Sequence, residues 1–178
     1  MKTYKILLAF IAAAGIMLSG CDDILSDLLK FDGEWYSMEF TIEPSDTVGD
    51  LEFITEEFEV NLDSLLDANG ILPENLKSAK VSDARVIILT EGKTFDPVTN
   101  VEFLMESPNL GSTRVAWLDP VPRGLDTVNL ELNKDDLQEY LHEDKFKFTA
   151  NGSLISTVDD KLDLVAEIRF VFRGDFTQ

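Results

Sequence analysis

The sequence has very little of the residues that most catalytic and metal sites require. Cys21 is its single cysteine and His142 its single histidine. A disulfide needs two cysteines, and histidine-dependent triads and zinc sites need a histidine beside further partners. These shortages argue against disulfide-stapled folds and against the common nucleophilic and zinc-dependent enzymes. His142 follows a short predicted helix, where a structural role at the helix end is the simpler interpretation.

Positive charge is also scarce. The chain has 15 lysines and arginines against 34 aspartates and glutamates, a net charge of −19. Proteins bind phosphate backbones through clustered Lys and Arg, so we expect no nucleic-acid partner. A basic partner or divalent cations would be attracted to such a surface, although dispersed acids also simply keep a protein soluble.

A long hydrophobic run is missing as well. The apolar run 6–17 has twelve residues, whereas a membrane-spanning helix needs about 20. Lys2 and Lys5 precede the run, and the small residues Ser19 and Gly20 follow it before Cys21. This order of basic, apolar and small-residue regions is typical of a secretory signal and not of a membrane anchor. An ordinary cleaved signal would not require the cysteine.

The segment Leu18-Ser19-Gly20-Cys21 resembles the lipobox of bacterial lipoproteins, in which the cysteine is lipidated and becomes the mature N-terminus. With Asp22-Asp23 directly after it, the segment resembles surface lipoproteins of the Bacteroidota. The resemblance implies a lipid anchor at Cys21, outside the cytoplasm, with the outer membrane or cell surface favoured. Aspartate directly after the cysteine would instead imply inner-membrane retention in enteric bacteria. The sequence therefore does not decide which membrane leaflet holds the protein.

The mature protein would be still more acidic. Removal of residues 1–20 leaves 13 basic and 34 acidic residues, a net charge of −21. Anionic headgroups repel such a chain, so acyl chains must supply its membrane affinity. We expect three parts: a signal peptide over residues 1–20, the lipidated cysteine with a short tether over 21–33, and a single β-rich domain over 34–178.

The domain's dominant hydrophobic period is two. Tyr36, Met38, Phe40 and Ile42 share one face of a predicted strand. Near the C-terminus, strands are predicted over 145–150, 154–158 and 162–172, with turns at Asn151-Gly152 and near Asp159-Asp160. The last two strands would form a closing hairpin. One short helix is predicted near 134–142, capped by Asn133, with the apolar stripe Leu137, Tyr140 and Leu141. These patterns predict a mainly β protein: an antiparallel β-sandwich of Greek-key or Ig-like type, or a partly open barrel, of about eight strands.

Trp35 and Trp117 are the candidate ligand contacts. Trp35 falls on the polar face of its strand, so we expect it to be exposed. Trp117 precedes a loop that Pro120 and Pro122 stiffen. Exposed aromatic side chains beside a rigid loop suit sugar or protein binding, whereas two core or edge tryptophans would be the structural alternative.

Calcium is the one cofactor worth considering, because it binds carboxylate and carbonyl oxygens. Asp63 and Asp67 crowd one segment, and Asp159 and Asp160 crowd another, although acid-rich turns are also simply solvated. We therefore predict a lipid-anchored binding or scaffolding module of the envelope, whose ligand is a glycan or a protein partner, and no enzyme. The alternative is a carboxylate-dependent enzyme acting on polysaccharide, which needs two carboxylates across a cleft.

Overall fold

The structure is a computed structural model that describes residues 30–59, 62–143 and 145–174. Cys21, the predicted signal and most of the predicted tether lie outside the described residues. The strands are β1 (Lys30–Ile42), β2 (Gly49–Glu59), β3 (Leu76–Ile88), β4 (Val98–Ser107), β5 (Gly111–Leu118), β6 (Thr127–Asn129), β7 (Glu131–Leu132), β8 (Lys145–Leu154) and β9 (Leu162–Gly174). The helices are α1 (Leu62–Ala68), a 3₁₀ turn (Pro73–Asn75) and α2 (Gln138–Leu141).

The strands form two antiparallel sheets. The four-stranded sheet has the order β1-β9-β3-β6, and the five-stranded sheet has the order β2-β8-β4-β5-β7. Within the described residues the two sheets share no strand, so the predicted antiparallel sandwich is confirmed and the barrel alternative is not. The chain passes from one sheet to the other repeatedly. Of the nine described strands, β4 and β5 alone are both consecutive in sequence and paired.

The core lies between the sheets and is rich in phenylalanine. Met38, Phe40 and Ile42 are buried, as the alternation predicts. Phe40 stacks on Phe53 of the other sheet, with ring centroids 5.7 Å apart. Tyr36 meets Phe58 edge to face at 5.9 Å. These aromatic contacts join β1 to β2, which form the open edges of the two sheets on one side of the sandwich.

The predicted closing hairpin is wrong. β8 pairs with β2 and β4, whereas β9 pairs with β1 and β3 in the other sheet. Asn151 and Gly152 form no turn but lie inside β8. Packing explains why a turn-forming dipeptide occupies a strand: a Cβ on Gly152 would lie 2.4 Å from Cε2 of Phe53 and 2.6 Å from the carbonyl oxygen of Asn100. Glycine is required here by close approach and not by a turn.

A Gly152→Ala substitution is expected to lower the free energy of unfolding by about 1–3 kcal/mol, the usual cost of overpacking a core. The added methyl group meets a backbone oxygen as well as the Phe53 ring, so rotation of the ring relieves only part of the clash. Denaturant unfolding checks this, with Asn151→Ala on the outward face of the same strand as control. We expect the control to lose less than about 0.5 kcal/mol. Equal losses in both variants would contradict the close approach.

The predicted helix is shorter than expected. α2 has four residues, because two polar turns occupy the positions before it. The Asn133 side chain accepts a hydrogen bond from the Asp135 N–H, and the Asp136 carboxylate accepts one from the Gln138 N–H. Such side-chain to backbone bonds compete with helix formation. The apolar stripe is nevertheless oriented as predicted, since Leu137 and Leu141 are buried.

Strand directions define two ends of the sandwich. The end of β1 lies beside the start of β9, the start of β2 beside the end of β8, and the end of β3 beside the start of β6. Four loops therefore meet at one end, which we call the distal end: 43–48, 89–97, 119–126 and 155–161. The described chain enters at the opposite end, where β1 begins at Lys30, within the predicted tether. No helix in the described ranges is long and apolar enough to cross a membrane.

Candidate functional site

The outer face of the five-stranded sheet carries a row of polar side chains in register. Trp117 of β5 is opposite Glu102 of β4, Glu102 is opposite Asn151 of β8, and Asn151 is opposite Glu52 of β2. Residues directly opposite each other in an antiparallel pair project to the same face. The Asn151 side-chain amide donates a hydrogen bond to Glu102 at 3.5 Å. Four strands thus contribute one continuous polar row.

A second row lies beside the first, nearer the distal end. Asn100 of β4 is opposite Ser153 of β8, which is opposite Asp50 of β2. The Asn100 amide donates to the Ser153 hydroxyl at 2.9 Å, and this hydroxyl donates to the Asp50 carboxylate at 2.5 Å. Asp119 follows β5 directly and closes the row. These two hydrogen bonds link the side chains of Asn100, Ser153 and Asp50 across three strands.

The two rows form a groove of about 500 Å³, which we call the sheet groove. Its volume lies within the range of small-molecule sites. The lining offers four carboxylates, two amides and one hydroxyl. The lining residues are Asp50, Leu51, Glu52, Asn100, Glu102, Asp119, Asn151, Gly152 and Ser153.

Trp117 flanks the sheet groove beside Glu102. In a regular strand Arg114 and Trp117 would project to opposite faces, but a register shift in the β4–β5 pair turns both Val115 and Ala116 inward. Arg114 and Trp117 therefore share the outer face, with the guanidinium 4.3 Å from the indole centroid. This cation–π contact holds the half-buried indole in place.

The double-proline loop lies at the distal end of the sheet groove. Pro120 and Pro122 are exposed, and the Asp119–Pro120 peptide is cis. Val121 between them is buried, and its N–H donates to the Thr99 carbonyl oxygen at 2.8 Å, which fixes the loop against the start of β4. Of the three predicted contact residues, Trp117 is opposite Glu102 of the groove. Pro120 directly follows Asp119, which lines the groove, but neither proline lines it itself.

Trp35 lies elsewhere. It is opposite Arg169 on the outer face of the four-stranded sheet, away from Trp117. Its indole is only half exposed, since the guanidinium of Arg85 is 4.6 Å from the ring centroid and that of Arg169 is 4.9 Å from it. The prediction that Trp35 is exposed is therefore only partly right: the ring faces outward, but two arginines cover it.

The four acids considered for calcium divide between the two ends of the sandwich. Asp63 and Asp67 are exposed on α1, whereas Asp159 and Asp160 belong to the distal end. Asp160 pairs with Lys93. Over the described part of the chain, no group of three or more His, Cys, Asp or Glu side chains is arranged to hold a metal. Calcium binding stays a prediction without geometric support.

Tyr36 and Asp163, whose pKa values depart from the ordinary ones, lie outside the sheet groove. Burial raises the pKa of the Tyr36 phenol, and the nearby Glu34 carboxylate raises it further. A hydrogen bond from Lys161 lowers the pKa of Asp163, and a second one from the Thr41 hydroxyl, at 2.8 Å, acts in the same direction. Both effects belong to the four-stranded sheet, where they favour a neutral Tyr36 and an ionised Asp163.

Sequence reasoning missed most of the sheet groove. The period-two pattern indicates that Glu102, Asn151 and Ser153 face outward, but every exposed strand residue has that signal. Only the pairing of β4 with β8 and of β8 with β2 makes them neighbours, and the predicted turn at Asn151-Gly152 hid that pairing.

Comparison with known proteins identifies no family. No protein-family model matches the sequence, and no curated protein matches it. Among solved structures, the chain is similar to that of Cocksfoot mottle virus at 9% identity and a TM-score of 0.27, covering 84% of this chain and 86% of that one. A Desmodium yellow mottle tymovirus structure has 11% identity and a TM-score of 0.27, covering 84% and 90%.

A human norovirus GI.7 Houston strain virus-like particle has 12% identity and a TM-score of 0.35, covering 78% of this chain and 31% of that one. Similarities this distant carry no functional argument.

Proposed function

We propose that the protein is a lipid-anchored binding module that holds a glycan in the sheet groove. The observation that carries the proposal is the pair of cross-strand polar rows, in which carboxylates, amides and a hydroxyl converge on one concave surface. Sugar hydroxyls both donate and accept hydrogen bonds, and this lining offers both acceptors and donors at close spacing. Interior strands β4 and β8 carry the central part of the site, which limits its movement.

The ligand class follows from charge. Four carboxylates line the sheet groove, at Asp50, Glu52, Glu102 and Asp119, and no lysine or arginine among the described residues lines it. Anionic sugars would bring like charges together in a partly enclosed site, which is unfavourable. The proposed ligand is therefore a neutral oligosaccharide, held by hydrogen bonds with Trp117 at the side of the groove.

Lipid attachment at Cys21 would place this site outside the cytoplasm, at the outer membrane or cell surface. The support for this part of the proposal is the lipobox and the short apolar signal, and both belong to the sequence alone. Partners are then the membrane, through the acyl chains, and an envelope glycan. Membership of a larger envelope complex is compatible with the same anchor.

A panel of purified oligosaccharides tests the proposal. Neutral glucans, mannans and chitin fragments would be compared with uronic-acid and sulfated oligosaccharides of equal length, with binding to the full chain measured by calorimetry. We expect saturable binding of at least one neutral member and none of the charged ones. Absence of binding across the neutral set, or preference for the anionic set, would contradict the proposal.

A second candidate function is supported by one observation. Glu102 on β4 and Glu52 on β2 are separated by one strand, so their backbones lie about 10 Å apart and their carboxylates face one groove. Glycoside hydrolysis uses two carboxylates roughly 5–9.5 Å apart. The alternative is therefore a polysaccharide-acting enzyme at the same site. Release of reducing ends from the bound oligosaccharide, abolished in Glu102→Gln, would favour it over simple binding.

A further inference from the structure

The distal loops are joined to one another by hydrogen bonds. Ser45 and Val158 exchange two backbone bonds, of 2.9 and 3.0 Å, which tie loop 43–48 to loop 155–161. The Ile155 N–H donates to the Pro97 carbonyl oxygen at 2.8 Å, so loop 155–161 is also tied to loop 89–97. Loops connected in this way lose little conformational entropy when a partner binds.

Hydrogen bonds also join loop 89–97 to loop 119–126, on the other side of the distal end. The Phe95 N–H donates to the Leu125 carbonyl oxygen at 2.8 Å, and the Gly124 N–H donates to the Asp96 carboxylate at 2.7 Å. An ion pair between Lys93 and Asp160 joins loops 89–97 and 155–161. All four loops thus form one preorganised surface.

This surface carries most of the exposed apolar side chains. Of the six large hydrophobic residues that are exposed in the described part of the chain, four lie in the distal loops: Val48, Leu89, Leu125 and Ile155, between 43% and 54% exposed. Leu89 and Leu125 line a groove of about 520 Å³ between segments 88–94 and 124–126. Exposed apolar groups set among polar ones are typical of interaction sites.

Acids surround the apolar residues. The four distal loops contain eight acidic and three basic residues, a net charge of −5. Two of the three bases are already paired, Lys93 with Asp160 and Lys161 with Asp163. Glu91 and Asp126 line the same groove as Leu89 and Leu125. Lys93 also lines the groove, but its charge is paired with that of Asp160. The groove therefore combines apolar contact area with the negative charges of Glu91 and Asp126.

We propose that this distal groove docks a protein partner through a segment that presents adjacent basic and apolar side chains. Charge complementarity selects that occupant: a second copy of this chain would bring the same net charge of −5, and anionic lipid headgroups would be repelled. The inference goes beyond glycan binding, and only its orientation rests on the proposed lipid anchor. The chain enters at the opposite end, so the distal groove faces away from the attachment point.

Site-specific photo-crosslinking in the full chain tests the proposal. A photoreactive phenylalanine would replace Leu125 in one protein and Leu72 in another, because Leu72 has the same exposure of 43% but lies near the opposite end. We expect the distal probe alone to capture a protein, through a segment that contains Lys or Arg beside apolar residues. No adduct, an adduct with lipid or a second copy, equal capture at Leu72, or an acidic captured segment would overturn the proposal.

A synthetic peptide that copies the captured segment then separates this proposal from the proposed glycan binding and from the proposed lipid anchor. Reversing two charges in the groove, by Glu91→Lys with Asp126→Lys, should weaken the peptide at least tenfold. The same reversal on α1, by Asp63→Lys with Asp67→Lys, should leave its affinity within twofold. Because the Cys21→Ala protein should bind the peptide normally, failure of the lipid anchor would not be mistaken for failure of the docking groove. Equal weakening by both charge reversals would overturn the proposal.

Discussion

The Cys21→Ala variant is expected to lose its lipid and to leave the membrane fraction for the soluble fraction. One acyl chain of fourteen carbons gives a membrane association constant of only about 10⁴ M⁻¹, so stable attachment needs more than one chain or a basic patch. Cleavage before Cys21 would leave a net charge of −21, which gives no electrostatic attraction to anionic lipid. All of the attachment must then come from Cys21, and its removal should abolish it.

Labelling with radioactive palmitate, followed by fractionation, measures this effect directly. The parent protein should take up label and sediment with membranes, and Cys21→Ala should do neither. Ser26→Ala, five residues further along the predicted tether, is a suitable control and should behave as the parent. Label that persists in Cys21→Ala would contradict the lipid anchor. Membrane association that a high-salt wash removes from the parent would contradict an acyl anchor as well.

The sandwich could be predicted because several strands bury alternate side chains. Met38, Phe40 and Ile42 on β1 and the alternating residues of β9 are buried against the opposite sheet, so a period of two is present in the sequence. On β2 the apolar set switches from Leu51 and Phe53 to Ile54 and Phe58, a phase change that indicates a bulge. The β2–β8 pair shows its register shift at that place, between Glu52 and Ile54. Such patterns come from burial, which depends on each residue's own hydrophobicity.

Pairing between strands could not be predicted in the same way. β1 pairs with β9, more than 120 residues later, and β8 pairs with β2 and β4. Hydrophobic alternation is the same whichever strand lies alongside. A local signal such as Asn151-Gly152 therefore predicts a turn, although this glycine lies inside β8 and is needed for the packing of Phe53.

The candidate site was only partly predictable for the same reason. Trp117, Pro120 and Pro122 are neighbours in sequence, so a local pattern points to the segment that contains Asp119, a lining residue of the sheet groove. Trp35 is a candidate because it falls on the polar face of its strand. That strand, β1, belongs to the other sheet, where Arg85 and Arg169 cover the indole ring.

Residues that face the same groove from separate strands, such as Asn100 and Ser153, have no shared local signal. Only the register of β2, β8 and β4 brings these residues into one groove.

The Glu102→Ala/Asn151→Ala protein tests the central claim, that the sheet groove holds the ligand. These two side chains lie side by side at the centre of the groove. A hydrogen bond to a charged group contributes about 1.5–3 kcal/mol and a neutral one about 1 kcal/mol, so we expect affinity for a neutral oligosaccharide to fall about 30-fold or more. The matched control is Glu39→Ala/Asn129→Ala, which removes one exposed carboxylate and one exposed amide from the four-stranded sheet.

Calorimetric titration of the parent and both double variants with the same neutral oligosaccharide is the decisive measurement, with melting temperatures recorded to confirm that each variant is folded. The sheet-groove account predicts that Glu102→Ala/Asn151→Ala loses nearly all binding, while Glu39→Ala/Asn129→Ala binds as the parent does. Binding that survives in the groove variant, or that disappears only in the opposite-face variant, would contradict it.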